Sequence, residues 1–299
     1  MVIWLNGSFV DADAAKVSAL DSGLQHGVGL FETMQARNGR VFRLADHLER
    51  LADSARALGF SEQLRVEPLA QAVEQVMAKW AQPEARLRLT LTGGVVNMLR
   101  DAREGKPVEV NPCLMIVASP ITPFPQELFD RGVTVSVADD RLSPLDRFGG
   151  HKVLWYWPRL AALQAAAQSG AAEAIWFDSS NRLCCGCTCN VFLVQGDRLV
   201  TPLARGEETA EQNRSPVMPG IARRTVIGLA RECGLHVERT NLNIDDVLRA
   251  DEAFLTNVSW GVLPVVRVEG STIGSGSPGE ATLRLRHGWL TSLNAQTSG

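Results

Sequence analysis

Lys152 has the clearest chemical potential of any residue in this 299-residue sequence. It is one of four lysines, and it lies between the turn Phe148-Gly149-Gly150 and the apolar run Val153–Trp157. A lysine amine that is partly desolvated in such a setting is a better nucleophile and can form a Schiff base with a carbonyl compound. A lysine that extends from an apolar edge into solvent would have the same sequence around it. The residues alone leave both interpretations open.

Four cysteines within Cys184–Cys189 form the second candidate site. Cys184 and Cys187 have the C-x-x-C spacing that can ligate zinc or an iron–sulfur cluster. A closed site normally takes two such pairs, whereas the remaining cysteines, Cys113 and Cys233, are single, and adjacent cysteines on a strand point to opposite faces. We therefore predict buried, reduced thiols of a cytosolic protein and no metal site, with zinc as the alternative.

Two further segments offer donors for an anion. Pro219-Gly220 precedes a predicted helix, whose first free N–H groups favour negative charge, and glycine permits close approach of the backbone. Thr256–Gly261 follows a predicted strand and adds N–H and hydroxyl donors. Both segments fit a phosphate, but the sequence does not place them side by side.

The charge balance argues against several classes of partner. Thirty Lys and Arg residues against 33 Asp and Glu give a formal charge of −3, so neither nucleic acid nor a membrane surface is an expected partner. No apolar run approaches the roughly 18 residues of a membrane span, and the N-terminal residues lack the basic start of a signal peptide. We expect a cytoplasmic protein whose partners are small molecules.

The elements that must position these residues are helices and strands in irregular order. The predicted helices are Leu44–Leu58, Pro68–Trp80, Pro158–Gln168 and Ile221–Cys233, each with apolar spacing or a glycine or proline at its end. The predicted strands are Arg86–Leu91, Val133–Val137, Ala174–Phe177, Asn190–Val194, Leu199–Thr201, Ala253–Thr256 and Val262–Val268. Because helices and strands do not alternate regularly, the pattern predicts an α+β fold.

Three prolines within 118–126 predict a linker. It would separate a small N-terminal domain, 1–117, from a larger C-terminal domain, 127–299. Each part is long enough to bury a core of its own.

Taken together, the segments resemble the class IV (fold-type IV) pyridoxal-phosphate-dependent aminotransferases, the group of branched-chain and D-amino-acid transaminases and aminodeoxychorismate lyase. Asp21–Thr33 is similar to the family's D-x-G-x-x-x-G-D-G-x-F-E-T, and 186–192 to its E-G-S-T-S-N-x-F run. The other matching segments, in family order, are Phe42–Leu51, Gly150–Lys152, Thr201-Pro202, Met218–Ile221 and Phe254–Asn257 ahead of Pro264-Val265. The resemblance covers nearly the whole chain.

The resemblance implies the fold and the assembly. A fold-type IV enzyme has a small N-terminal α/β sandwich and a larger C-terminal domain with a barrel-like sheet, which binds the cofactor. Members of the family place both subunits around each cofactor, so a homodimer is implied as well.

The resemblance also assigns roles around pyridoxal 5′-phosphate. Lys152 would form the Schiff base and carry the proton, and Arg50 would bind the cofactor phosphate. The backbone N–H groups of Ile221, Ala222, Asn257 and Val258 would complete the phosphate site. Tyr156 falls close to the family position whose phenol contacts the cofactor; packing against Trp155 and Trp157 is the alternative.

Three positions depart from the family pattern. Cys185 aligns with the glutamate that pairs with the pyridine nitrogen and keeps it protonated, which makes the ring an electron sink. A neutral thiol would do this poorly, and a thiolate is the other possibility. Val28 replaces an acidic residue. Thr92 stands where an arginine often binds the substrate carboxylate, so we assign that role to Arg100.

Three functions follow. The first is amino transfer from an amino acid to a 2-oxo acid through the Lys152 Schiff base. The second is elimination of pyruvate in the manner of aminodeoxychorismate lyase, which Cys185 favours if elimination depends less on a protonated ring. The third is a family member with weak or lost catalysis because Cys185 replaces the glutamate.

Overall fold

The computed structural model describes residues 1–61, 64–95 and 112–297. They divide into two compact units. The first unit contains residues up to 122, the short segment Lys152–Tyr156 and residues 296 and 297, and the second contains 123–151 and 157–295. Lys152 thus belongs to the first unit, although it is distant in sequence from most of that unit.

The first unit is built on an antiparallel sheet. In spatial order its strands are β2 (Ser8–Val10), β1 (Val2–Leu5), β6 (Leu114–Ser119), β5 (Ala85–Thr92), β3 (Gly29–Arg37) and β4 (Arg40–Val41). In β5 the side chains alternate between buried and half-buried positions, as the alternation in its sequence predicts. One face of the sheet therefore forms a core, and the other face carries polar residues such as Arg88.

Helices α2 (Leu44–Ala57) and α3 (Val66–Trp80) cover the apolar face of this sheet, and a short helix, α1 (Ser22–His26), precedes β3. Leu48, Leu51 and Ala55 lie one helical turn apart on α2 and are buried. The opposite side of α2 carries charged residues. The helix ends just before Gly59, whose φ of +68° suits a glycine stop.

The second unit has a larger, mixed sheet that curls into a half-barrel. Its strands in spatial order are β12 (His236–Thr240), β11 (Arg198–Pro202), β10 (Asn190–Gln195), β13 (Glu252–Asn257), β14 (Gly261–Val268), β7 (Val133–Leu142), β8 (Glu173–Asp178) and β9 (Leu183–Gly186), while β15 (Ser271–Thr272) pairs with β14. The helices around it are α4 (Glu127–Arg131), α5 (Trp157–Gln168), α6 (Ile221–Glu232), α7 (Ile244–Leu248) and α8 (Glu280–Thr297).

The sequence prediction of an α+β fold with a barrel-like sheet in the C-terminal part is confirmed. Each predicted helix and strand is present, with ends that differ by a few residues. The pattern missed β9 and β12: β9 is short and rich in cysteine, and β12 is half-exposed and carries few apolar residues. In the part of the chain that the structure describes, none of the helices has both the length and the apolar character that a membrane crossing needs.

Candidate active site

Lys152 is fixed to the first sheet through the backbone. Its carbonyl oxygen accepts a hydrogen bond of 3.0 Å from the Phe31 N–H, and the Leu154 N–H donates 2.9 Å to the Gly29 carbonyl. These bonds place 152–156 beside the first half of β3, where β4 does not reach, since β4 pairs only with Ala36 and Arg37. The apolar residues after Lys152 therefore anchor the lysine to a strand far from it in sequence.

The Lys152 amine lies against aromatic rings. Its Nζ is 4.4 Å from the centroid of the Phe31 ring and 5.9 Å from that of Tyr156. The two rings are 5.5 Å apart and nearly perpendicular. Tyr156 thus packs edge-on against Phe31 and lies near Lys152, while Trp155 is 65% exposed. This arrangement supports the role that the resemblance gives to Tyr156.

Arg88 is a cation in the same cluster that the sequence analysis missed. Its guanidinium carbon is 3.4 Å from the Phe31 ring centroid, and its Nε donates 3.3 Å to Thr90 Oγ1. Burial and the neighbouring charge of Arg86 lower the pKa of Arg88 to about 10. Within the described residues its guanidinium forms no ion pair. Its position on the polar side of an alternating strand was the available signal, but that side could equally have faced solvent.

Arg50 is held by a buried carboxylate. Its Nε donates 2.8 Å to Glu32 Oε1 and its Nη2 donates 2.6 Å to Glu32 Oε2, a two-pronged geometry suited to guanidinium and carboxylate. His47 Nδ1 lies 2.7 Å from Glu32 Oε2. The glutamate of β3 therefore joins two residues of α2, one turn apart, in one network.

The charges of this network follow from its burial. Burial by itself raises the pKa of Glu32, but the charge of Arg50 and the hydrogen bond with His47 outweigh it and hold the pKa at about 2. Burial lowers the pKa of His47 despite the adjacent carboxylate, so the imidazole is neutral. An ionised carboxylate only accepts, so Nδ1 carries the proton. His47 Nε2 is then a buried acceptor that has no donor among the described residues.

Thr92, which stands where an arginine was expected, has a structural contact. Its hydroxyl donates 2.7 Å to Oδ2 of the buried Asp21, whose Oδ1 accepts 2.7 Å from the Gly23 N–H at the start of α1. Thr92 therefore ties the end of β5 to the segment before β3. Arg100, to which the carboxylate role was assigned, lies outside the described residues.

In the second unit, Cys185 lies on β9 opposite Trp176 of β8 and is buried. Arg159 on α5 reaches it: the guanidinium Nη1 is 3.4 Å from Cys185 Sγ, and it also donates 2.9 Å to the Gly186 carbonyl. The position of the expected glutamate is therefore filled by a thiol in contact with a cation. Nothing in the local sequence links residue 159 to residue 185.

Glu173 was also missed by the sequence analysis. It is fully buried at the start of β8 and accepts hydrogen bonds from the turn after β9. The donors are the N–H groups of Cys187 (2.9 Å) and Thr188 (3.1 Å) and the Thr188 hydroxyl (2.8 Å). Its carboxylate thus shapes the turn between β9 and β10.

All six cysteines are free thiols. Burial, strengthened by the Glu173 charge, raises the pKa of Cys187 to about 12 and raises that of Cys189 well above its ordinary value. Burial, together with Cys185, raises the pKa of Cys184 as well. These three side chains are protonated thiols at neutral pH. Across residues 1–61, 64–95 and 112–297, no group of three or more His, Cys, Asp or Glu side chains is arranged to hold a metal ion.

The structure brings the two predicted anion-binding segments together through Asn190. On β10 this residue faces Thr256 of β13, and its Nδ2 donates 2.9 Å to the Met218 carbonyl. Gly220 then starts α6 with no side-chain cap, so the first-turn N–H groups are not bound by its own side chain. A Cβ on Gly220 would lie 2.1 Å from Asn190 Oδ1, so the backbone here is as close as glycine permits.

Further polar atoms point to the same place. The Thr256 hydroxyl is buried without a hydrogen-bond partner among the described residues. Asn257 Oδ1 accepts from the N–H groups of Ser259 (2.9 Å) and Trp260 (3.1 Å), which fixes the turn that contains Val258. The predicted site residues therefore form two groups: Arg50, Lys152 and Tyr156 in the first unit, and Cys185, Ile221, Ala222, Asn257 and Val258 in the second.

Comparison with known proteins gives a consistent result. Residues 29–268 match the family model for "Amino-transferase class IV". A protein from Methanocaldococcus jannaschii, named a putative branched-chain-amino-acid aminotransferase, is 34% identical over 288 residues, which cover 96% of this chain and 94% of the relative.

Two solved structures of similar fold bear on the chemistry. A branched-chain amino acid aminotransferase from the source abbreviated T.th., solved with pyridoxamine 5′-phosphate, is 26% identical with a TM-score of 0.85, and the match covers 99% of this chain and 94% of that one. The 4-amino-4-deoxychorismate lyase from Pseudomonas aeruginosa is 26% identical with a TM-score of 0.81, covering 95% and 97%.

Proposed function

We propose an amino-transfer reaction for this chain, which belongs to the class IV aminotransferase family and is an enzyme. The amino group would pass from an amino acid to a 2-oxo acid. The observation that carries the proposal is the Lys152 amine, held over Phe31 beside Tyr156. Relatives named for branched-chain amino acids support aliphatic amino acids as the donor class.

The family implies pyridoxal 5′-phosphate as the cofactor, and the residues present fit its phosphate. The unpartnered Thr256 hydroxyl and the uncapped N–H groups of Ile221 and Ala222 are donors that an anion would satisfy. The missing Cβ of Gly220 leaves no side chain at the first turn of α6. When bound, the cofactor supplies an aldehyde that joins amines as a Schiff base and a ring that withdraws electrons from the substrate.

In this proposal Lys152 holds the cofactor through its Nζ and, once released by the substrate amine, moves a proton at the substrate Cα. Arg50 presents its guanidinium to the phosphate, and Glu32 fixes its orientation. The backbone N–H groups of Asn257 and Val258 complete the phosphate site. The phenol of Tyr156 donates a hydrogen bond to the cofactor.

Arg88 is the described residue best suited to the substrate carboxylate. It lies on the same ring as Lys152, it forms no ion pair within the described residues, and its planar donors match a carboxylate. Arg100, the earlier assignment, stays a prediction.

Gly220→Ala tests the phosphate site. Because the new Cβ would overlap Asn190 Oδ1, Asn190 must move and release the Met218 carbonyl, which shifts the start of α6. We expect affinity for pyridoxal phosphate, measured by absorbance titration, to fall about tenfold, the effect of roughly 1.4 kcal/mol for one hydrogen bond. Gly228→Ala on the same helix is the matched control because its added Cβ meets nothing within 4 Å. Equal affinities in the two variants would contradict this role of Gly220.

Half-reactions test the function itself. The holoenzyme is mixed with single amino acids, and conversion of the cofactor to its amine form is followed by absorbance. We expect aliphatic donors to react and a 2-oxo acid to reverse the change. Failure with every donor would exclude amino transfer and leave weak or lost catalysis.

Elimination of pyruvate is the second candidate. The similarity to the P. aeruginosa lyase and the thiol of Cys185 in place of a carboxylate both favour it. Release of pyruvate from aminodeoxychorismate without an added 2-oxo acid would establish this activity in place of amino transfer.

A homodimer is the assembly that we propose. Leu24, Val28 and Trp155 are exposed apolar residues of the first unit, and Trp155 lies against Gly27, between the other two in sequence. An exposed apolar patch of this kind is typical of an interface. Light scattering should therefore give twice the chain mass of 32.5 kDa.

We also propose a cytoplasmic location. The six free thiols support a reducing compartment.

A further inference from the structure

A cation is fixed beside the thiol that stands where the resemblance places a carboxylate. Arg159 Nη1 lies 3.4 Å from Cys185 Sγ, 2.9 Å from the Gly186 carbonyl oxygen and 3.4 Å from the Cys187 carbonyl oxygen. Its guanidinium carbon is 5.6 Å from the centroid of the Trp176 ring. Three acceptors at the end of β9 and an aromatic ring thus hold the guanidinium next to Cys185.

Glu173, the carboxylate that contacts the turn after β9, does not take over the role of the missing glutamate. Oε1 accepts from the N–H groups of Ala174 and Cys187, and Oε2 accepts from the N–H and hydroxyl of Thr188 and from Cys189 Sγ. A carboxylate has about four acceptor positions, so these donors saturate it. Its charge is committed to the backbone of the turn.

The exchange reverses the charge beside Cys185. A carboxylate favours the protonated form of a neighbouring base, whereas a nearby cation disfavours it. A thiol is only a weak hydrogen-bond partner and does not replace the carboxylate. The guanidinium is therefore the permanent charge in contact with this position.

We propose that Arg159 and Cys185 together keep the pyridine nitrogen of the cofactor unprotonated, in contrast to the family pattern. The proposal rests on the proposed function, since it assumes that pyridoxal phosphate binds with its ring nitrogen toward β9. A ring with an unprotonated nitrogen withdraws electrons less strongly. Arg159 acts as a positioning residue that sets this state through Cys185.

Nitrogen NMR of the holoenzyme tests the proposal. The wild-type protein is loaded with pyridoxal phosphate labelled with ¹⁵N in the ring, and the chemical shift is compared with those of free pyridine and pyridinium forms. We expect the shift of the unprotonated form at neutral pH. A pyridinium shift in the wild-type holoenzyme would overturn the proposal.

A pair of double variants isolates the charge at residue 159. Cys185→Glu with Arg159→Gln supplies a carboxylate without the cation, and the ring resonance should move upfield to the protonated position. Cys185→Glu with Arg159→Lys keeps the positive charge, and the upfield shift should be smaller. Both pairs remove the guanidinium, so a merely structural role of Arg159 predicts the same shift in both. Equal shifts would therefore refute the role of its charge.

The controls separate this proposal from the proposed function. Arg231→Gln changes an exposed arginine of α6 and should leave the resonance unchanged. If the wild-type protein acquires no borohydride-sensitive absorbance with pyridoxal phosphate, the proposed function fails. A bound cofactor with a protonated ring would overturn only the present inference.

Discussion

Lys152→Ala should abolish amino transfer, with a loss of at least about 10³-fold in turnover. Two roles end with the amine: covalent attachment of the cofactor and proton transfer at the substrate Cα, and general acid–base catalysis alone contributes about 10²–10⁴-fold. The reason for assigning both to this lysine is its fixed position, since backbone bonds to Gly29 and Phe31 place its Nζ over the Phe31 ring. Initial rates with an aliphatic donor and a 2-oxo acid measure the loss.

A spectrum gives a second reading that does not depend on turnover. The wild-type holoenzyme should absorb near the visible edge, and borohydride should remove this band and fix the cofactor to the peptide that contains Lys152. Lys79→Ala is the matched control because Lys79 is exposed on α3. If the Lys152→Ala protein retains a band that borohydride removes, another amine carries the cofactor and the assignment of Lys152 is wrong.

The sequence predicted the parts of the fold that depend on local patterns. The spacing of Leu48, Leu51 and Ala55 fixes the buried side of α2, and the alternation in β5 fixes which of its residues are buried. Both patterns reflect contacts that every residue makes with its own element. The same holds for α6, which starts after Pro219-Gly220.

The parts of the site that depend on distant pairings could not be predicted in this way. The contact between Arg159 and Cys185 forms because α5 passes the end of β9, and the two residues are 26 positions apart. Glu32 meets Arg50 across the gap between a strand and a helix. A resemblance gives the role of one residue at a time, and it is silent where this chain differs, as at Cys185.

Glu32→Gln should destabilise the first unit by about 3–5 kcal/mol, the usual cost of removing one partner from a buried ion pair. Glu32 is 1% exposed, and its neutral replacement leaves Arg50 without its carboxylate and His47 without a charged acceptor. Urea unfolding at neutral pH measures the effect. Asp53→Asn is the control on the same helix because Asp53 pairs with Arg56 at 3.0 Å in an exposed bridge, where the loss should stay below about 1 kcal/mol.

The dependence on pH distinguishes the ion pair from a simple packing defect. The carboxyl of Glu32 has a pKa of about 2 in the folded chain against 4.5 in its ordinary state. A carboxyl whose folded pKa is lowered stabilises the fold fully above the unfolded value, and this stabilisation disappears as pH falls from 4.5 toward about 2. Its size, from a shift of this order, is about 3 kcal/mol.

The difference in unfolding free energy between the wild type and Glu32→Gln should therefore be constant above pH 4.5 and shrink below it. His47 also weakens the fold in acid, since burial lowers its pKa and the unfolded chain takes up a proton that the folded chain excludes. Both proteins carry His47, so subtracting their curves leaves mainly the part due to Glu32. A difference that stays constant down to the acid transition would mean that the carboxylate is not charged in the fold, and that Arg50 is held by packing alone.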